Sequence, residues 1–371
     1  SHENAPFPHP NLHQTALSGR EAIFNKGKFG RKFGSMKSEN ASLSAAAATA
    51  ARAPYGGGGY RYGGIDIARL VLAGCVVLAH CASFQAISPA AHFLFNNGLA
   101  RIIVPFFLLT TGYFFDRQMA RGLGPWLWKA GRIYLIWTLI FLPYILLLQE
   151  VTPLRLILTA VFGYFHLWYL PALIGGMVVL YLARTLPDGM LMALAAGLFV
   201  VGGAIQYTEN ALLDLPSIPG HYDLLVITRN FLFYGFPYLA VGLLIHRGRV
   251  LTDLSARARL WLVIGATLLL LGETWLEYVA FDPEGFFDLT FSAFTLTPIL
   301  FVWVRDLQID ALPFDPRPLS MVIYLTHMLY LIPLRIYTDL GPLALTVVTL
   351  GLTLVLAPLW LRAARRVPIL P

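Results

Sequence analysis

The chain is poor in charge and in cysteine. Only 13% of its 371 residues are charged, against 57% that are hydrophobic, where a soluble domain carries about 25% charged residues. That shortage argues against a water-soluble fold, because too little polar surface exists to enclose so much apolar material. The two cysteines, Cys75 and Cys81, fall in or beside one apolar segment and face different sides of it as a helix. A disulfide framework and a cysteine metal site are therefore not expected. The nucleotide P-loop, the zinc-protease motif and the dinucleotide glycine fingerprint are missing. The glycine run Gly56–Gly59 lacks a strand before it and does not qualify.

Present instead are apolar runs of about 17–22 residues, the length that crosses a hydrocarbon core of about 30 Å as a helix. The runs do not alternate in polarity, which argues against a membrane β-barrel. The expected fold is all-α: a polytopic membrane helix bundle of about ten spans, near 66–84, 99–115, 132–149, 167–183, 189–206, 230–246, 260–278, 288–304, 319–337 and 341–361. With the N-terminus cytoplasmic, the inside loops collect most of the arginines, and the outside loops hold Arg155, Arg229 and a series of acids. The bias predicts that both termini are cytoplasmic.

The net charge of +7 is concentrated at one end. Before Gly64, eight basic residues stand against three acidic ones, which leaves +5 of the total there. A basic tail beside anionic lipid explains this placement better than nucleic acid does. Residues 1–64 read as a disordered basic segment, 65–362 as the transmembrane domain, and 363–371 as a short cytoplasmic tail. Met36 is the expected natural start.

Ionisable groups inside apolar helices are candidates for function. In the first span Arg69 and His80 have ten residues between them. Eleven steps of about 100° return to nearly the same face, and the two lie about 16 Å apart along the axis. Taken singly, Arg69 is also explained by snorkelling or by pairing with Asp66, and His80 by one interhelical hydrogen bond. Together they put a fixed cation near the inside and a titratable imidazole near the outside. In the second span Thr110, Thr111 and Tyr113 offer hydroxyls beside Gly112, which also allows close helix packing. Arg101 lies near the outer end of that span and suits an anionic or sugar ligand, or snorkelling.

Lys129 and Arg132 stand among Trp126, Trp128 and Tyr134. An interfacial anchor explains them, and so does a phosphate site for a nucleotide-bearing donor. His166, Trp168 and Tyr169 are expected at the outer level of His80. Glu273 and Glu277 share one helix face near the outside, where solvation accounts for Glu277. His327 is expected near mid-membrane, either bonded across the bundle or joined to His80.

These residues carry a resemblance. Arg69-x10-His80, the VPFFLLTTGYFF run, the basic entry at Arg132, the HLWYL segment and SMVIYLTHML resemble, in order and spacing, the acyltransferase 3 family over about residues 64–362. The chain has Thr111-Gly112-Tyr113 where many relatives have Ser-Gly-Tyr, a change that keeps a hydroxyl. The resemblance implies an enzyme that moves an acyl group, commonly acetyl, from cytoplasmic acetyl-CoA to a hydroxyl of an envelope or exported carbohydrate. It implies His80 as the catalytic residue and Arg69 as its donor-side partner. Lys129, Arg132 and Tyr113 form the expected donor-binding set. His166, Trp168, Arg101, Glu273 and His327 form the expected acceptor-binding set. No metal is expected. The expected partners are the carbohydrate acceptor, the lipid bilayer and envelope-polysaccharide assembly proteins, and the expected location is a bacterial inner membrane. A transporter or flippase for a lipid-linked glycan is the rival reading, and a structural subunit of an assembly complex is the third.

Overall fold

The computed structural model describes residues 62–148, 152–212, 228–281, 285–309, 314–367 and 369–370, together with two short strands before them. Two units are resolved, residues 1–61 and Tyr62–Pro371. In the first, strand β1 (Pro54–Tyr55) pairs antiparallel with β2 (Gly59–Tyr60), Pro54 opposite Tyr60. The rest of the segment expected to be disordered lies outside the described residues.

The second unit is helical. Its principal helices are α1 (Gly63–His80), α2 (Pro89–Tyr113), α3 (Leu123–Leu148), α4 (Pro153–Phe162), α5 (Phe165–Ala183), α6 (Asp188–Leu212), α7 (Phe231–His246), α8 (Ala256–Ala280), α9 (Phe291–Arg305), α10 (Pro316–Tyr337) and α11 (Pro342–Ala364). Eight of them are long and apolar enough to cross a membrane. The shorter apolar helices are α4, α7 and α9. Each of the ten expected spans coincides with a helix, and α4 is an addition.

Local chemistry sets several starts. Ser88, Thr152 and Asp315 each precede a proline, and each side chain accepts a backbone N–H of the following turn at 3.0–3.2 Å. This cap-then-proline pattern satisfies a donor that the helix leaves open and fixes φ for the first residue. Ser255 caps α8 in the same way at 3.1 Å.

Burial sorts the helices. Every residue from Phe236 to Ile245 in α7 is buried. The apolar windows of α2 and α10 are 61% buried, those of α3 and α8 only 22%. Thus α2, α7 and α10 are interior and α3 and α8 peripheral. Leu139 on α3, Leu268 on α8 and Val355 on α11 are exposed. A bundle in lipid presents such side chains outward, since backbone polarity is already satisfied within each helix.

The tightest crossing is α2 against α7. A Cβ added at Gly112 would overlap the carbonyl of Leu239, and one at Gly242 would overlap the carbonyl of Leu109. The two glycines let the backbones touch, as small residues do between membrane helices.

Candidate active site

His80 is the last residue of α1. The helix stops there because Ala82 takes a left-handed conformation, with φ 53°. The exit is pinned on both sides. Ser83 Oγ donates to the Leu78 carbonyl at 2.9 Å and lies 2.6 Å from Thr346 Oγ1, while Arg335 Nη2 donates to the His80 carbonyl at 2.6 Å. The imidazole of His80 faces a cavity of 780 Å³.

Behind His80 lies His327, fully buried on α10, with the two ring centres 5.2 Å apart. His327 Nδ1 is 3.0 Å from the Ile323 carbonyl. A carbonyl only accepts, so Nδ1 carries the hydrogen and Nε2 keeps a lone pair. That Nε2 is buried with no hydrogen-bond partner. His327 thus stands beside His80, and the hydrogen bond it makes runs within its own helix rather than across the bundle.

His166 completes a cluster of three, its ring centre 4.9 Å from that of His327. It arrives on a tight turn, Phe165–Trp168, that opens α5. Gly163 (φ 90°) and Phe165 (φ 46°) shape the approach, and a positive φ is costly for an aromatic residue. Tyr324 OH holds the turn by donating to the His166 carbonyl. Both ring nitrogens of His166 are buried without a partner. Among the described residues no group of three or more histidines, cysteines or carboxylates is arranged to hold a metal.

The cavity wall is arginine-rich and aromatic. Arg101, Arg155 and Arg229 line it, with Trp168 and Phe286. Arg101 Nη1 reaches Asp288 Oδ1 at 2.5 Å, and Arg229 holds the same carboxylate through Nε and Nη2. Both arginines stand at wide helical turns: Leu94–Gly98 precedes Arg101, and Phe231–Gly235 follows Arg229. Such wide turns recur where a helix re-aims a functional side chain. Asn97, on the first, accepts from Arg101 Nη2 at 2.5 Å.

The remaining expected residues fall elsewhere. Arg69 meets α10 through Met321 (Nη2 to Sδ, 3.7 Å) and lies 5.5 Å over the Phe107 ring. Its Nε is buried without a partner. Arg69, in the first half of α1, and His80, its last residue, therefore both face α10. Tyr113 OH is 3.2 Å from Tyr62 OH, and its ring faces His246 and the Arg305 guanidinium. Lys129 and Arg132 are exposed on α3. Glu273 does not line the cavity. Its carboxylate accepts the Phe291 and Ser292 amides at 2.9 and 2.7 Å, closing the open end of α9. The solvated setting expected for Glu277 is corrected: it is 1% exposed and accepts from Tyr207 OH at 2.5 Å.

The family model described as an acyltransferase domain matches residues 62–361. The chain belongs to the acyltransferase 3 family. This acyltransferase 3 chain is also similar to a serine/alanine racemase of Enterococcus gallinarum, 28% identical over 71% of this chain and 40% of the relative. An amino-acid racemase of Enterococcus faecalis is 29% identical over 51% of this chain and 30% of its own length. The chain thus spans less than half the length of the curated relatives it matches. No solved structure matches it.

One pair at the acyltransferase 3 cavity escaped the sequence reading: Arg229, which lines it, and Asp288, which Arg229 holds. In the sequence Asp288 is one of a series of outside acids and Arg229 an outside charge. Their opposite signs beside apolar runs were the available signal, but nothing in the order of residues joins positions 59 apart.

Proposed function

We propose that this integral membrane acyltransferase moves an acyl group, acetyl in the simplest case, from cytoplasmic acyl-CoA to a hydroxyl of a carbohydrate at the outer face. The observation that carries the reading is the position of His80, at the end of α1 and on the wall of a cavity wide enough for a sugar. His80 takes the hydroxyl proton as the oxygen attacks the thioester carbonyl. The C–S bond breaks, and the CoA thiolate leaves and recovers the proton from the imidazolium. An imidazole can both accept and return a proton, which suits both transfers. The His327 ring lies 5.2 Å from that of His80 and backs it from α10. An acyl-histidine route uses the same residues.

The donor enters from the opposite end. Its anionic nucleotide stays at the basic cytoplasmic face, at Lys129 and Arg132, with Tyr113 near the path. Its pantetheine arm follows the Arg69–His80 face of α1. Ten crossings, with both termini cytoplasmic, set the two ends on opposite sides of a bacterial inner membrane. Trp168 and His166 line the acceptor side, and partners in envelope-polysaccharide assembly deliver the acceptor. The relatives' racemase names belong to proteins of which this chain matches 40% or less, and racemisation is not carried over.

The test is transfer of labelled acetyl from acetyl-CoA to carbohydrate by the full chain in proteoliposomes. His80→Ala is expected to lower transfer by about a hundredfold or more at unchanged folding, the range for loss of an acid–base group. Equal transfer by the variant removes His80 from the mechanism. Movement of glycan across the bilayer with no acetyl-CoA consumed favours the transporter reading instead.

A further inference from the structure

We propose that the acceptor is an anionic saccharide. Its reactive hydroxyl reaches His80 while a carboxylate or phosphoryl oxyanion on the same molecule is held by Arg101 and Arg229. This deepens the acyl-transfer reading above and rests on it.

The argument begins with unbalanced charge. Three arginines line the cavity, and no aspartate or glutamate does, among the described residues. Arg101 and Arg229 share the carboxylate of Asp288, which is 2% exposed. Two guanidinium groups on one carboxylate leave a net positive charge at this wall. Keeping such charge out of water is costly unless something pairs with it. A ligand oxyanion does so, and the flat guanidinium fork fits carboxylate and phosphoryl oxygens two at a time.

Unused donors point the same way. A guanidinium carries five N–H groups. Arg101 spends one on Asp288 and one on Asn97, and its Nε is buried without a partner. Among the described residues Arg229 spends its hydrogen bonds on Asp288.

Aromatic rings fix where these donors can go. Phe286 lies between the two arginines, 4.5 Å from the Arg101 guanidinium carbon and 4.3 Å from that of Arg229. Arg229 also covers the Trp168 ring at 5.1 Å. Stacked in this way, the guanidinium planes are held still and their N–H edges stay available. Trp168 and Phe286 also line the cavity and give a sugar ring a flat face beside the charged edges. Shape and charge together select a sugar that carries an acid over a neutral one.

The experiment uses the full chain in nanodiscs and three probes: a methyl glucoside, the matching methyl glucuronide, and the glucoside phosphorylated at its primary hydroxyl. Binding is measured by titration calorimetry without acetyl-CoA, and then labelled acetyl transfer with it. At least one charged probe is expected to bind about tenfold or more tighter than the neutral one. Arg229→Gln should bring that probe to the neutral level, with Arg101 still neutralising Asp288. Asp288→Asn should tighten it, because both arginines lose their internal partner. Preference for the uronate assigns a sugar acid, and preference for the phosphorylated probe assigns a phosphate-bearing glycan. Equal binding of all three probes, binding of none, or a preference that survives Arg229→Gln overturns the proposal. Anion-selective binding without acetyl transfer keeps this site and removes the acyl-transfer reading. Undiscriminating transfer does the reverse.

Discussion

Glu273 and Glu277 lie one turn apart on α8, and the fold gives them different tasks. Glu273 closes α9 through two backbone amides. Glu277 is buried, and its Oε2 has no partner. Tyr207 OH serves both, 3.0 Å from Glu273 Oε1 and 2.5 Å from Glu277 Oε1. Removing that hydroxyl leaves Glu277 with nothing to bond. Tyr207→Phe is therefore expected to cost about 1–3 kcal/mol, the penalty for a buried polar group left unpaired, read as a lower melting temperature in detergent. In a Glu277→Gln background the same change should cost less, since the two side chains share one contact. Equal costs in the two backgrounds would place the effect elsewhere. The shared face of the glutamates was legible from their spacing. Their separate roles were not, because Tyr207 is 66 and 70 residues away in sequence. The histidines divide the same way. Spacing put Arg69 and His80 on one face, and both do meet α10, but the approach of His166 to His327 depends on a positive φ at Phe165 that composition does not announce.

Among the elements, helix positions were legible and helix ends were not. Apolar run length located ten helices, eight of them long enough to cross a membrane, because lipid demands such runs of every crossing. It missed the first ten residues of α2, 89–98, where the sequence turns polar at Asn96 and Asn97 and the backbone widens its turn instead of stopping. It missed the first turns of α3, which carry Trp126 and Lys129, for the same reason. The α2–α7 crossing was half legible: Gly112 suggested close packing, but its counterpart Gly242 had no mark. Each glycine faces a backbone carbonyl of the other helix, and a carbonyl cannot rotate aside. Gly112→Ala and Gly242→Ala are each expected to cost about 1–3 kcal/mol, the range for overpacking a filled interior. The double variant should cost less than the sum, because helices pushed apart by one methyl group already make room for the other. Thermal unfolding of the two single variants and the double variant in one detergent checks this, and strict additivity would count against direct contact.

For the whole molecule, the number of crossings turns on α7 and α9. At 16 and 15 residues they are about 24 and 23 Å long, less than the hydrocarbon core. Length alone would leave them short of crossing. Their end contacts set out what a test must decide. The start of α7 follows Arg229 on the cavity wall, where α1 ends. Past its other end, Arg247 Nη1 bonds Asp188 at 2.8 Å and Arg247 Nη2 bonds the Arg184 carbonyl at 2.8 Å, both at the α5–α6 turn. The start of α9 is capped by Glu273 near the cavity end. Its last residue, Arg305, faces Tyr113 at the far end of α2. Each short helix thus joins the same two ends as its long neighbours, and protein rather than lipid covers most of α7. In the proposed arrangement of ten crossings Arg257, at the start of α8, lies on the cytoplasmic side. If α7 and α9 fail to cross, Arg257 lies outside, while the first loop and the tail keep their sides. Single cysteines at Ile87, Arg257 and Arg365, all exposed, in a chain with Cys75 and Cys81 replaced, separate the cases. An impermeant maleimide applied to right-side-out vesicles should label Ile87→Cys and spare the other two until the membrane is opened. Labelling of Arg257→Cys from outside would reduce the count to eight and take both short helices out of the set that spans the bilayer.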